Sequence, residues 1–313
     1  MFEHTLFFPC IAAAVGQLSP PGAAASMPAP MRKATKPRSS DDGRPWLPSD
    51  WARCVVLLEE ESTADGKKCF EPVGTAFLLR HRGVTFLVTA RHVITRSHTI
   101  ARVNLRSARS DRSHTVRTRL DAVQKATGSG WFFHPTKKAD VAVLVYPVDA
   151  RRADVRPIDT DLLRECRVFA DGDDIRFLGF PLGITEKGHV HPVVRGGLVA
   201  QKRHDDTFLI DALVFPGNSG GPVFLKEYEL GGARVIGGPC VIGLISEFIS
   251  YVDTAVSTTS HRPRVQFEEN AGLAVCCGMR YVLDILDRPD LQRHYREAHG
   301  AGAPARPKRR QPA

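Results

Sequence analysis

The chain has 313 residues and a formal charge of +9, from 43 Lys and Arg against 34 Asp and Glu. That length holds one large β-domain or two small ones, each with a real core. Hydrophobic content of 42% and charged content of 25% exclude a wholly disordered or fibrous chain, and no run of eighteen apolar residues offers a membrane-spanning helix.

Residues 1–50 read as a poor folding unit. MFEHTLFFPCIAAAVG is apolar but broken by Pro9, and it carries Glu3 with no basic residue ahead of the apolar part. AAAS at 23–26 has the small residues of a cleavage site, and the stretch after it is rich in Pro, Ser and charge. An atypical signal, a disordered leader and a start at Met27 or Met31 all fit this pattern. From Trp51 the chain turns to short apolar runs: ARCVVLLEE, GTAFLLRH, VTFLVTA, ARVNL, TVRTRL, WFFHP and DVAVLVYP. After a polar gap follow DIRFLGFP, VVRGGLVA, TFLIDALV, GGPVFLK, CVIGLIS and GLAVCCGM. Runs of five to eight β-branched and aromatic residues predict strands. About a dozen strands without intervening helices predict an all-β fold of antiparallel barrels or sandwiches. One helix is predicted, over 281–295, with Val282, Leu283, Ile285 and Leu286 on one face and Pro289 as its break. Residues 300–313 read as a basic disordered tail.

Ten Arg and a single acid, Asp111, fall within residues 80–120. A basic face there would suit nucleic acid or an acidic protein partner, although the simpler expectation is a solvated arginine-rich surface. The seven Cys are an odd count, without a C-x-x-C pair, so neither a zinc ribbon nor any other metal site is expected. A Cys54–Cys69 bridge is open at this stage. Cysteine usage leans toward a reducing, cytoplasmic compartment; secretion follows instead if residues 1–26 act as a signal.

Three segments carry chemistry. Pro216-Gly217-Asn218-Ser219-Gly220-Gly221-Pro222 places a hydroxyl on a tight turn flanked by glycines, as an activated serine requires. Thr89-Ala90-Arg91-His92-Val93 puts a histidine directly after an apolar strand. Ala139-Asp140-Val141-Ala142 opens a wholly apolar strand with an acid, which is costly near buried surface unless a donor such as a histidine N–H meets it. Each segment alone also fits a plain turn or strand end. Their order, His then Asp then Ser, matches one of the chain orders of a serine triad.

On these residues the sequence resembles the trypsin-like (chymotrypsin-fold) serine peptidases, and within them the bacterial HtrA/Deg-type branch. The matching segments are GTAFLL, VTARHV, ADVAVL, FLGFPLG, IDALVFPGNSGGPVF, CVIGLIS and NAGLAV, about Gly74 to Val275. The resemblance implies two six-stranded antiparallel barrels, about 51–150 and 170–280, followed by a C-terminal helix, in one peptidase domain over 51–299. It implies a catalytic triad of His92, Asp140 and Ser219, an oxyanion hole from the N–H groups of Gly217 and Ser219, and no cofactor. The substrate is then a protein or peptide. The specificity pocket would have Leu213 at its base and Leu244, Ile245 and Ser246 as its wall, which favours cleavage after small or medium apolar residues. Asn218 stands where digestive relatives carry Asp, so activation by a newly cut N-terminus is not expected. The forty or so residues after Val275 are too few for the PDZ domain usual in the HtrA branch. A non-catalytic binding module on the same barrels is the alternative.

Overall fold

The computed structural model describes residues 48–300, apart from 65–66, 96–98, 107–112, 149–152, 165–168, 186–189, 227–228, 231–232 and 235–239. The expected leader, the basic tail, Cys10, Cys166 and Arg96, Arg109 and Arg112 lie outside the described residues.

The chain is built of β1 (Val55–Ala64), β2 (Lys67–His81), β3 (Val84–Thr89), β4 (Thr99–Arg106), β5 (Ser113–Arg119), α1 (Leu120–Thr127), β6 (Phe132–Phe133), β7 (Ala142–Val145) and β8 (Ile158–Asp159). A second half follows with β9 (Asp174–Gly179), β10 (Val193–Lys202), β11 (Thr207–Asp211), β12 (Pro222–Leu225), β13 (Glu229–Leu230), β14 (Ala233–Arg234), β15 (Cys240–Val256) and β16 (Pro263–Gly278). Two helices, α2 (Met279–Leu286) and α3 (Gln292–Gly300), come last. The expected helix over 281–295 is thus two helices joined by a 3₁₀ turn at Pro289–Leu291, because a proline interior to a helix removes a hydrogen bond and clashes with the preceding turn. Val282, Ile285 and Leu286 of the expected apolar face are buried.

The all-β class holds. The second half closes as a six-stranded barrel in the order β10-β11-β16-β15-β12-β9. Among the described residues the first half is an eight-stranded sheet, ordered β5-β4-β1-β2-β3-β7-β6 with β8 parallel to β2. Helix α1, which periodicity did not single out, touches β4, β5 and β7 and so sits between the two flanks of that sheet. Leu120 is its one buried residue, so no apolar stripe announced it. Its stop signal is Gly128, in the left-handed conformation at φ 59°.

One core cluster fills the first sheet and continues into the second half through Leu178, Phe180, Phe224, Val241, Leu244 and Cys277. A separate cluster, including Phe177, Phe208, Ile210, Ile242 and Ile245, fills the closed barrel. The 3₁₀ segment Pro48–Cys54 ties the halves together. Trp51 stacks on Phe224 of β12 at 4.8 Å, and buried Asp50 pairs with buried Arg156.

Most of the described arginines in the 80–120 stretch are matched by carboxylates. Arg102 and Arg117 stand opposite each other on β4 and β5 and share Glu59, which is 1% exposed. Arg119 bonds Glu61 and Asp121, Arg80 bonds Asp159, and Arg82 lies 3.5 Å from Asp287. Arg91 lies over the ring of Phe133. Cys54 and Cys69 are both free. The antiparallel register pairs Val55 with Phe77 and Ser62 with Cys69, which separates the two thiols by about eight residues of strand, roughly 27 Å. No helix among the described residues is long and apolar enough to cross a membrane.

Candidate active site

The strand register brings the histidine and the aspartate together. Strand β3 pairs antiparallel with β7, with Thr89 opposite Ala142. Residues just after Thr89 therefore lie beside residues just before Ala142. The 3₁₀ turn Arg91–Thr95 begins there, and Asp140 lies two residues ahead of β7. Asp140 Oδ1 accepts the His92 backbone N–H at 3.0 Å, and Oδ2 meets His92 Nδ1 at 2.7 Å. The carboxylate orients the ring and holds the proton on Nδ1, which leaves Nε2 as the basic nitrogen.

A third donor reaches the same carboxylate. Ser246 Oγ–H donates to Asp140 Oδ2 at 2.6 Å. The sequence assigned Ser246 to a pocket wall. The structure gives it this further contact because the β15–β16 register shifts between Ile245 and Glu247, and a bulge re-aims the side chain it carries. Burial alone would push the Asp140 carboxyl up. The hydrogen bonds from His92 and Ser246 outweigh it and hold the group below the usual carboxylate value. The bond to Asp140 raises the His92 imidazole above its ordinary 6.5 against the lowering effect of burial, and the charges of Asp140 and Glu247 add to the rise.

The serine turn comes from the loop between β11 and β12. Thr75 of β2 grips it from the first half: Thr75 N–H donates to the Ser219 carbonyl at 2.8 Å, and its hydroxyl donates to the Gly217 carbonyl at 2.6 Å. The same hydroxyl accepts from Phe180 N–H at 3.1 Å. Gly220, at φ +84°, packs so closely that a Cβ would drive into the Thr75 carbonyl and Thr89 Oγ1, and would lie 2.9 Å from the Ala90 nitrogen. The turn thus rests against the residue two before His92. The sequence quoted Thr75 only as part of GTAFLL; its role had no local signal.

The backbone of the turn divides into engaged and unengaged donors. The N–H groups of Asn218, Gly220 and Gly221 bond the carbonyls of Phe215, Ile245 and Asn218. Among the described residues, Gly217 and Ser219 N–H have no backbone partner. Their directions are fixed, because carbonyl and following N–H point opposite ways in a trans peptide. The Pro216 carbonyl is held by Leu182 N–H at 2.7 Å, which turns Gly217 N–H away from that contact. The Asn218 carbonyl, held by Gly221 N–H, does the same for Ser219 N–H. Gly217 has φ +95°, and a Cβ there would collide with the Phe180 carbonyl, so glycine is required. Asn218 is fully buried and its Oδ1 accepts from Phe215 N–H at 3.1 Å.

The four residues assigned to the specificity pocket are placed unequally. Leu213 is 49% exposed, just after β11. Leu244 and Ile245 are wholly buried, one in each core cluster. Ser246 faces Asp140. No group of His, Cys, Asp and Glu suited to a metal occurs among the described residues.

The trypsin-like peptidase domain matches residues 74–232, just over half of the chain. This chain belongs to the trypsin-like peptidase family. The matched span holds the His92, Asp140 and Ser219 segments, and Ser246 lies beyond it. No curated protein matches this chain. Among solved structures, it is similar to the serine endoprotease from Yersinia pestis, at 16% identity and a TM-score of 0.43, over 76% of this chain and 63% of that one. The peptidase chain therefore spans less than two-thirds of that protein's length.

Proposed function

We propose that the chain is an active serine endopeptidase over 51–299, with His92, Asp140 and Ser219 as its triad. The observation that carries this reading is the His92–Asp140 pair together with a serine turn in which Gly217 and Ser219 N–H have no backbone partner among the described residues. His92 Nε2 takes the proton from Ser219 Oγ as the oxygen attacks the scissile carbonyl carbon. Asp140 keeps the ring in the required tautomer and stabilises the imidazolium. Gly217 and Ser219 N–H receive the oxyanion, and one such donor is worth roughly 3 kcal/mol in the transition state. Collapse of the tetrahedral species expels the amine, which leaves with the His92 proton, and forms the acyl-enzyme. Water activated by His92 then attacks the ester carbonyl and releases Ser219.

Cleavage follows small or medium apolar residues. Leu213, exposed beside the serine turn, supports this, since a basic side chain needs a carboxylate partner there. A peptide-library profile dominated by Arg or Lys before the cut would overturn the specificity. The peptidase reading is tested with a fluorophosphonate probe and with Ser219→Ala. The wild-type protein is expected to label at Ser219. Ser219→Ala is expected to lower kcat at least about 10⁴-fold while the unfolding free energy stays within about 0.5 kcal/mol. Full activity in a folded Ser219→Ala protein overturns the reading.

A further inference from the structure

Strands β15 and β16 run on together past the barrel. β11 pairs with β16 only from Leu273 to Cys277, and β12 pairs with β15 only as far as Leu244. β15 and β16 continue to pair with each other out to Val256 and Pro263. Residues 250–256 and 263–270 thus form a two-stranded arm, and no strand among the described residues pairs its outer edges. Seven residues of strand make it about 24 Å long. Its apolar side chains stand in water: Tyr251, Val252, Val256, Val265 and Phe267 are each half exposed or more. Open edges that carry apolar residues attract a further strand unless something blunts them.

The outer edge of β16 is complementary to itself. It reads Arg264-Val265-Gln266-Phe267-Glu268: a base and an acid at the ends, two apolar residues inside them and a neutral polar residue at the centre. Two copies laid antiparallel about a two-fold axis at Gln266 place Arg264 opposite Glu268 and Val265 opposite Phe267. The symmetry makes each of these pairs twice. Opposite charges, and an aromatic against a β-branched residue, are both favourable cross-strand pairs. Alternation puts the four apolar side chains on one face of the joined sheet and the four charges on the other. Neither Arg264 nor Glu268 has an ion-pair partner among the described residues. The neighbouring registers that keep the pleat set Arg264 opposite Gln266 or Asn270, where it meets no counter-charge.

The length of the free edge fits the same register. Pro263 falls opposite Glu269 and Arg262 opposite Asn270. The edge is taken up from there on: Asn270 Nδ2 bonds the Val214 carbonyl, and the Gly272 carbonyl accepts from Ala212 N–H. Pro263, which has no N–H to give, lies at the end of the pairing rather than within it. We propose that the arm is a self-association element, through which two copies of this chain join β16 edge to β16 edge about a two-fold axis at Gln266. The pairing uses the edge of the arm away from Ser246. A lipid surface would meet the apolar side chains but leave the backbone groups of the edge unpaired. Five residue pairs make a contact well below a standard interface of roughly 1,600 Å², so the dimer is weak, with a Kd on the order of 10–100 µM.

The test is analytical ultracentrifugation of the full chain from about 1 to 300 µM. The wild-type protein is expected to pass from monomer to dimer. Arg264→Glu and Glu268→Arg each set like charges opposite one another in both outer pairs, and each variant is expected to stay monomeric. Both side chains are exposed, so circular dichroism should match wild type. An equal mixture of the two variants restores opposite charges in both pairs and is expected to dimerise as wild type does. Gln266→Cys is expected to form a disulfide-linked dimer under mild oxidation, above the wild-type background, since residues opposite on antiparallel strands have Cα atoms about 4.5–5.5 Å apart. Thr254→Cys, on the other strand of the arm, is expected to give none. A wild-type protein that stays monomeric overturns the proposal. If it also sediments with vesicles of phosphatidylcholine and phosphatidylserine, the arm is a membrane-binding element instead. Dimerisation of either single variant at wild-type concentrations places the interface elsewhere and overturns the proposal, as does a mixture that stays monomeric.

Discussion

At Asp140 three donors converge on one carboxylate, and two of them come from His92. The consequence is a pH dependence of known sign. In the proposed triad the imidazole must be neutral to accept the serine proton, so kcat/KM is expected to rise with pH through a midpoint above 6.5. Asp140→Asn removes the first cause of that rise. It should lower the midpoint and reduce kcat by roughly 10⁴-fold through the wrong tautomer, both measured in one pH–rate series. The linked effect on stability has the opposite sense. A raised histidine contributes stability below its unfolded value, and that contribution is lost as pH climbs through the folded value. The lowered Asp140 contributes above its unfolded value and loses it as pH falls through the folded one. Under the proposed mechanism Thr75 is a positioning residue: its hydroxyl fixes the carbonyl of Gly217, whose own N–H is one of the two proposed oxyanion donors. Thr75→Ala should cost roughly tenfold or more in kcat with little change in KM, and Thr75→Ser should restore it. Equal losses in kcat from Ala and Ser would show that the methyl group, not the hydroxyl, matters.

Among the elements, the β1–β4–β5 edge depends on one buried acid. Arg102 and Arg117 face each other directly, and like charges so placed repel. Glu59, with a side chain 2% exposed, bonds both. Removing it leaves two partly buried guanidinium groups without their counter-ion. Glu59→Ala should therefore destabilise the protein by about 3 kcal/mol, read from urea denaturation midpoints. The same pairing changes what the arginine-rich stretch means. A run of ten arginines reads as a basic face, yet the described members are largely committed to Glu59, Glu61, Asp121, Asp159 and Asp287. Those acids lie up to two hundred residues away, so the charge count of the segment could not reveal them.

For the whole molecule, the first core cluster extends from the sheet into the barrel, and Trp51 bridges the two halves through Phe224. The halves should then unfold together. Tryptophan fluorescence and far-ultraviolet circular dichroism should give coincident urea transitions. Trp51→Ala should lower stability by about 3 kcal/mol. It should also weaken catalysis, since Thr75 of one half holds the serine turn of the other. Separate transitions for the two probes would contradict a shared core.

The sequence by itself determined the strand-rich class and the glycine turn around Ser219, and it offered His92 and Asp140 as candidates for the proposed triad. Those signals are local: alternating or β-branched runs, a turn that only glycine accommodates, an acid where an apolar strand opens. The tertiary structure alone decided which groups meet. Thr75 and Gly217 are 142 positions apart, and Ser246 and Asp140 are 106 apart. Neither pairing leaves a trace in propensity or spacing. The eight-stranded first sheet, the short helix α1 with a single buried residue, and the long pairing of β15 with β16 depend likewise on where strand pairing stops. Pairing stops where neighbouring strands run out, and that is a property of the assembled sheet rather than of any one segment.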